Sequence, residues 1–301
     1  MNRVLILFAA NCLLALPVFA GTGEAGFAFL KIGIGGRAAG MGEATVASVT
    51  DATATYWNPA MLTVTPLNSI VFTHNRWIED VTHNFFAAKF ASGRHAFGVH
   101  YISTGVDGIE QREIPSEEPT ALFSSHDLAI GFSYAYQISE RSSAGLTTKY
   151  IYERIQNSVH AWAVDAGFTH WVSLGERNLR LALVIANIGA SGDLSSQSVI
   201  LPATMRLGSQ YEILVNSKYQ WNVAMDIVKP IKESWRLNAG TEFGFNSITF
   251  LRAGYQFGYK TRGVSAGLGL KAFDKIRIDY GFTSFSHALG SAHRISASFE
   301  F

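Results

Sequence analysis

The chain has 301 residues, 24 basic and 23 acidic side chains, a formal net charge of +1, 13% aromatic residues and 28 glycines. Near-neutrality with no basic run excludes a nucleic-acid partner, and beyond position 20 no stretch reaches about 18 consecutive apolar residues, which excludes helical membrane spans. The only cysteine is Cys12, so the chain beyond it has no disulfide, thiol chemistry or cysteine-ligated metal.

Met1 to Ala20 carries one charge, Arg3, then an apolar core from Val4 to Leu16 and a small residue before Gly21. This reads as a secretory signal removed after Ala20. Cys12 lies within the apolar core rather than at the cleavage point, which argues against lipidation. Without Arg3 the count is 23 basic against 23 acidic residues.

Residues 21–66 do not alternate. They contain Lys31-Ile32-Gly33-Ile34-Gly35-Gly36-Arg37-Ala38-Ala39-Gly40-Met41-Gly42-Glu43-Ala44 and Asp51-Ala52-Thr53-Ala54-Thr55-Tyr56-Trp57-Asn58-Pro59-Ala60. Such glycine density permits tight turns and close backbone approach, and Asn58-Pro59 marks a turn or helix boundary. Gly33, Gly35 and Ala38 also match a dinucleotide fingerprint, with Asp51 near the distance for a ribose ligand. No parallel strand-helix alternation follows, so that reading is rejected and no cofactor is expected. The segment is expected to fold into a barrel lumen as a hatch or plug.

From residue 69 onward about fourteen segments of roughly ten residues each are predicted, the length a tilted strand needs to cross a bilayer. Strict alternation sets Leu128, Ile130, Phe132, Tyr134 and Tyr136 against Ala129, Gly131, Ser133, Ala135 and Gln137. The same holds near 204–213, 221–227, 235–243 and 276–283, and in the last strand, where Ile295, Ala297, Phe299 and Phe301 oppose Ser296, Ser298 and Glu300. Charges recur on one face only: Lys149, Asp165, Arg206, Glu212, Asp226, Arg236, Glu242, Arg252, Arg277, Asp279 and Glu300. Charge facing lipid at mid-depth is costly, so this face is assigned to the lumen. Structural ion pairs are the favoured reading of these charges, with Arg37, Glu43 and Asp51 joining them to hold the hatch. Trp77, Tyr101, Trp171, Trp221 and Trp235 near strand ends are expected in interfacial girdles.

Alternation also suits a soluble sandwich. The connections discriminate: even-to-odd joints are short throughout, whereas the two longest, Thr104 to Ser125 and Ile188 to Ala203, are odd-to-even. A barrel with short periplasmic turns, longer outside loops and both termini in the periplasm has this order. The predicted fold is therefore an all-β transmembrane antiparallel barrel, with residues 1–20 as signal peptide, 21–66 as hatch and 67–301 as barrel. The loop Asp107 to Ser125, with Glu110, Arg112, Glu113, Glu117 and Glu118, is the candidate outer docking surface.

Catalytic motifs H-E-x-x-H and G-x-S-x-G are absent, as is any His/Asp/Glu cluster at metal spacing. The nine histidines are scattered, and most are expected near strand ends or polar faces. His287 with Ser284 or Ser286 falls in a predicted loop, so the chain is read as a non-enzyme.

The two amino-terminal motifs quoted above, and the ending Asp279-Tyr280-Gly281-Phe282-Thr283 through His293-Arg294-Ile295-Ser296, resemble the PorV/PorQ family of outer-membrane proteins. The resemblance implies a fourteen-stranded barrel related to the long-chain fatty-acid transporters, with the amino-terminal segment in the lumen. It implies an accessory role in type IX secretion, the outer loops binding a translocon or a secreted protein. It also implies recognition of the terminal aromatic Phe301 by barrel-assembly machinery, and contact with outer-membrane lipid in a diderm bacterium. A hydrophobic small-molecule transport channel and a purely structural barrel are the alternatives.

Overall fold

The computed structural model describes residues 26–111, 119–154, 158–175, 177–194 and 197–301; the predicted signal and residues 112–118 of the predicted docking loop lie outside these. Fourteen antiparallel strands close into a barrel. They are β1 (Ser69–Arg76), β2 (Thr82–Ser92), β3 (His95–Gln111), β4 (Ala121–Ser139), β5 (Ser142–Arg154), β6 (Ser158–Leu174), β7 (Arg177–Ser191), β10 (Thr204–Val215), β11 (Tyr219–Pro230), β12 (Arg236–Phe245), β13 (Thr249–Phe257), β14 (Arg262–Ala272), β15 (Ile276–Phe285) and β16 (Ser291–Glu300). A small hairpin, β8 (Asp193–Leu194) and β9 (Gln197–Ser198), interrupts the joint between β7 and β10. The first and last strands pair from Ser69 with Glu300 to Arg76 with His293, so the wall has no free edge.

Period-two alternation becomes two faces. On β4, Ala129 and Ala135 are fully buried while Phe132 is 63% exposed. Trp162 and Leu270 are equally bare, at 65% and 60%. A continuous outer belt of large apolar side chains is the mark of a surface that meets lipid rather than water. Among the described residues no helix is long and apolar enough to cross a membrane; strands do the crossing.

One end of the barrel carries tight turns. Asn246 and Ser247 join β12 to β13, and Phe273 and Asp274 lie between β14 and β15, all four with φ between 52° and 55°. Both positive central residues are what a type I′ hairpin demands. Asn68 and Phe301 exchange backbone hydrogen bonds of 3.0 and 3.1 Å at this same end. At the opposite end the long joint predicted between Thr104 and Ser125 is mostly strand: β3 runs to Gln111 and β4 begins at Ala121, paired across a bulge between Val106 and Ile109. The ladder continues because cross-strand pairing satisfies the backbone donors and acceptors of both strands. A bulge between Glu212 and Leu214 makes Ile213 the extra residue of β10, so Leu214, not Ile213, pairs with outward Trp221.

Residues 26–66 run inside this wall. Two single-turn 3-10 helices, Ala28–Lys31 and Pro59–Thr63, and two short α-helical turns, Gly36–Gly40 and Ala54–Trp57, make up their regular structure. Asn58 is extended, as a residue before proline prefers, and its side chain accepts from Ala60 N at 3.1 Å to cap the turn that Pro59 opens. Phe27, Ile34, Met61 and Leu62 are completely buried and join Val71, Phe85, Ile102 and Ile151 of the wall in one core. Each such side chain contributes roughly 1.5–3 kcal/mol of burial energy.

Two expectations are corrected by this interior. His100, in the middle of β3, is 1% exposed and stacked on Phe85, while His83 does lie at a strand end, second in β2, but is likewise 1% exposed, its Nδ1 2.7 Å from Thr104 Oγ1. Of the predicted girdle, Tyr101, Trp221 and Trp235 face outward. Trp77 instead packs edge-on against Phe285 in a buried cluster with Ile32, and Trp171 takes the Arg180 guanidinium on its face at 3.8 Å. Inward parity on β6 and a loop position for Trp77 outweigh the aromatic preference for an interface.

Candidate functional site

The luminal segment lies against glycines of the wall. A Cβ on Gly36 would fall 2.4 Å from Asp279 O, one on Gly240 2.2 Å from Met41 O, and one on Gly254 2.2 Å from Gly42 N. Gly240 pairs with Gly254 across β12 and β13, and Gly267 with Gly281 across β14 and β15. These two cross-strand pairs form a bare track on which the turn Gly36–Gly42 rests backbone to backbone. Gly42 also sits at φ 62°, where a side chain is strained. Gly98, Gly145, Gly167 and Gly208 leave similar room for Thr55, Pro59, Asn58 and Val46. Gly33 is close to Glu43 and Trp57, and Gly35 turns the chain at φ 88°.

Charge then locks the contact. The Arg37 guanidinium donates twice to Glu242, both bonds 2.9 Å, and once to Ser48 O at 3.0 Å. Glu242 also takes Arg252 at 2.6 Å and Arg277 at 3.5 Å, and those two arginines meet Asp279 at 2.9 and 3.0 Å. A second tie runs from Glu43 to Arg294 at 2.8 Å, with Arg262 at 3.7 Å. Burial pushes the Glu43 carboxyl up, but the charges of Arg294, Arg262 and Arg206 outweigh it and hold it below its usual range. Burial likewise opposes charge on Arg37, yet Glu242 raises that group above its ordinary value. Such bidentate, desolvated pairs fix geometry as well as energy.

Hydrogen bonds to the segment's backbone complete the seam. Asp226 accepts from Thr45 N at 2.8 Å and Val46 N at 3.1 Å, Arg180 donates to Ala47 O at 3.0 Å, and Lys89 donates to Thr50 O and Thr65 O. Asn58 donates to Val46 O at 2.7 Å, and Trp57 Nε1 to Ile34 O at 3.2 Å. Asp51 does not join the ionic network: it accepts from Thr53 N at 2.9 Å and from the Thr53 hydroxyl, closing a local turn. Glu212 accepts from Asn178, and Glu300 meets Lys271 at 3.3 Å, both away from the central cluster. Lys31, Lys89, Arg180, Arg262 and Arg294 were not among the predicted luminal charges. Arg294 was readable, since it shares the inward face of Ser296 and Ser298.

Above the segment, toward the end with longer joints, lies a cavity of about 610 Å³. Its floor includes Tyr56 and Trp57; Arg206, Arg236 and Arg262 line the wall; Glu233, Tyr259 and Lys260 come from the joints at the rim. Lys149 meets Asp165 at 2.7 Å in one side, where a bulge between Val164 and Ala166 leaves Asn187 at φ 61° with its N–H donated to Asp165 at 2.7 Å. Trp57 separates this cavity from a second space of about 30 Å³ beside Arg37, Asp51 and Asp279. Ser286 and His287 are hydrogen-bonded to each other, side chain to side chain, in the exposed turn between β15 and β16.

A closed antiparallel barrel with an apolar outer belt and an amino-terminal segment bonded across its lumen defines an outer-membrane β-barrel with a filled lumen. The toluene transporter TbuX of Ralstonia pickettii is similar in fold, with a TM-score of 0.57 at 12% identity over 89% of this chain and 97% of that one. So is the monoaromatic hydrocarbon channel CymD, at 0.60 and 15% over 92% and 98%. The toluene transporter TodX of Pseudomonas putida gives 0.55 and 13% over 89% and 97%. Among curated proteins no match is found. The chain belongs to the PorV family, whose description is type IX secretion system protein PorV and which matches residues 22–233.

Proposed function

We propose that this protein is a non-enzymatic accessory of protein secretion in the outer membrane, one that binds a translocon or a secreted protein through the barrel end bearing the longer joints. Family membership across residues 22–233 carries the reading. The seam from Arg37 to Glu242 and from Glu43 to Arg294 supports it further, because a lumen crossed by buried ion pairs suits a barrel that binds at its rim better than one that conducts. In this reading both termini and the tight turns are periplasmic, and the segment 21–66 is a hatch. Affinity purification from the native membrane should recover large secretion proteins, and deletion should reduce export. Recovery of the barrel alone with normal export would overturn the reading.

The second reading is a channel for hydrophobic small molecules, favoured by the fold shared with hydrocarbon transporters. The cavity lining weighs against it. Arg206, Arg236, Arg262 and Lys260 surround space that a hydrocarbon would have to fill, and such a guest strips water from charge without replacing its hydrogen bonds. Uptake of a hydrophobic solute lost on deletion, with export unchanged, would establish the channel instead.

A further inference from the structure

The carboxylates around the cavity are already engaged. Glu43 is taken by Arg294 and Arg262, Asp165 by Lys149, and Glu233 by Lys31 at 2.9 Å and by Arg236. Burial pushes the Glu233 carboxyl up, yet Lys31 and Arg236 hold it below its usual range, so it remains an anion at neutral pH. Arg206 is left over. Among the described residues it makes no hydrogen bond and no ion pair; its guanidinium carbon lies 4.9 Å from the Trp57 ring centroid, and its Nη1 is buried without an acceptor. Beyond it Arg236 and Arg262 stack on the same Tyr259 ring at 4.5 and 5.5 Å.

An arginine held on an aromatic face in the wall of a cavity, feeling the charge of Glu43 but with no acceptor in hydrogen-bond or ion-pair reach, presents a fork that matches a planar oxyanion. Arg206 is half-buried and its Nη1 is buried with no acceptor, an unmade bond that is costly and that an entering anion relieves. The volume of about 610 Å³ lies in the range of small-molecule sites. We propose that this cavity binds a small organic anion, its carboxylate or phosphate group held by Arg206 and its body lying between Trp57 and Tyr259. The inference is independent of the secretory reading, since it concerns what the lumen holds rather than what the rim docks.

The test uses the full-length barrel in detergent, titrated by calorimetry and Trp fluorescence with benzoate, glucose 6-phosphate and their neutral counterparts benzyl alcohol and glucose. At least one anion should bind in preference to its neutral counterpart, more weakly as salt rises; which one does identifies carboxylate or phosphate as the group recognised. Arg206→Gln should weaken that binding about tenfold or more. Glu233→Gln, at the rim, should strengthen it several-fold by releasing Lys31 and Arg236 toward the ligand. Anions that bind no better than the neutral compounds would overturn the proposal. So would undiminished binding to a folded Arg206→Gln barrel; should that variant fail to fold, binding unchanged by Glu233→Gln would overturn it instead.

Discussion

Gly40 and Gly267 meet so closely that a Cβ on Gly40 would stand 2.8 Å from the Gly267 Cα. One belongs to the luminal segment and the other to β14, so absence of a side chain on both is what lets the segment seat. The wall's glycines are therefore a docking surface.

Gly267→Val should unseat the turn Gly36–Gly42 while leaving the fourteen-stranded wall intact, since the residue lies mid-strand and its backbone pairs normally with Arg252 and Gly281. Overpacking of this kind costs roughly 1–3 kcal/mol. Limited proteolysis should cut within residues 26–66 of the variant and spare them in the parent; equal resistance would show that the segment does not depend on this contact.

Glu242→Gln should destabilise the protein more than Arg37→Gln. The cluster holds three cations, Arg37, Arg252 and Arg277, against two carboxylates, Glu242 and Asp279. Removing Arg37 balances the charge, whereas removing Glu242 strands two guanidinium groups. Breaking a buried pair typically costs about 3–5 kcal/mol. Thermal unfolding followed by gel migration measures the difference, and equal losses would contradict the charge argument.

Acid should loosen the segment before it opens the wall. The folded Glu43 carboxyl lies below its ordinary value of 4.5, so its stabilising pairing is fully present above that pH and is lost as pH falls through the depressed value. Glu233, also lowered, moves in the same direction. Protection of the amides of residues 26–66, taken as the exchange rate relative to the intrinsic chemical rate at each pH, should fall below about pH 4.5 in the parent, and this acid response should shrink in Glu43→Gln. Protection that stays constant as pH falls would remove the linkage.

Asp226→Ala should leave the amides of Thr45 and Val46 without their acceptor. A buried donor with no partner costs about 1–3 kcal/mol. Exchange at these two amides should accelerate more than at the wall amides of β11, and uniform protection would mean that water replaces the carboxylate.

Much of the barrel was legible in the chain. Leu128 to Gln137 sorts into two faces with no knowledge of neighbours, because strand geometry sends successive side chains to opposite sides and lipid admits only one kind. The same rule placed Glu242, Arg277 and Asp279 inside, and short joints such as Asn246-Ser247 announced where strands reverse. Alternation is a local property, so the sequence determined fold class and facing. It could not say which luminal groups meet. Arg37 and Glu242 are 205 residues apart, and their pairing depends on a glycine track that exists only once β12 to β15 lie side by side. The same closure turned His100 and Trp77 inward, made Asp51 a turn-former, and left Arg206 Nη1 without an acceptor. Those outcomes belong to the tertiary structure because ion pairs and close backbone contacts need three-dimensional register across strands.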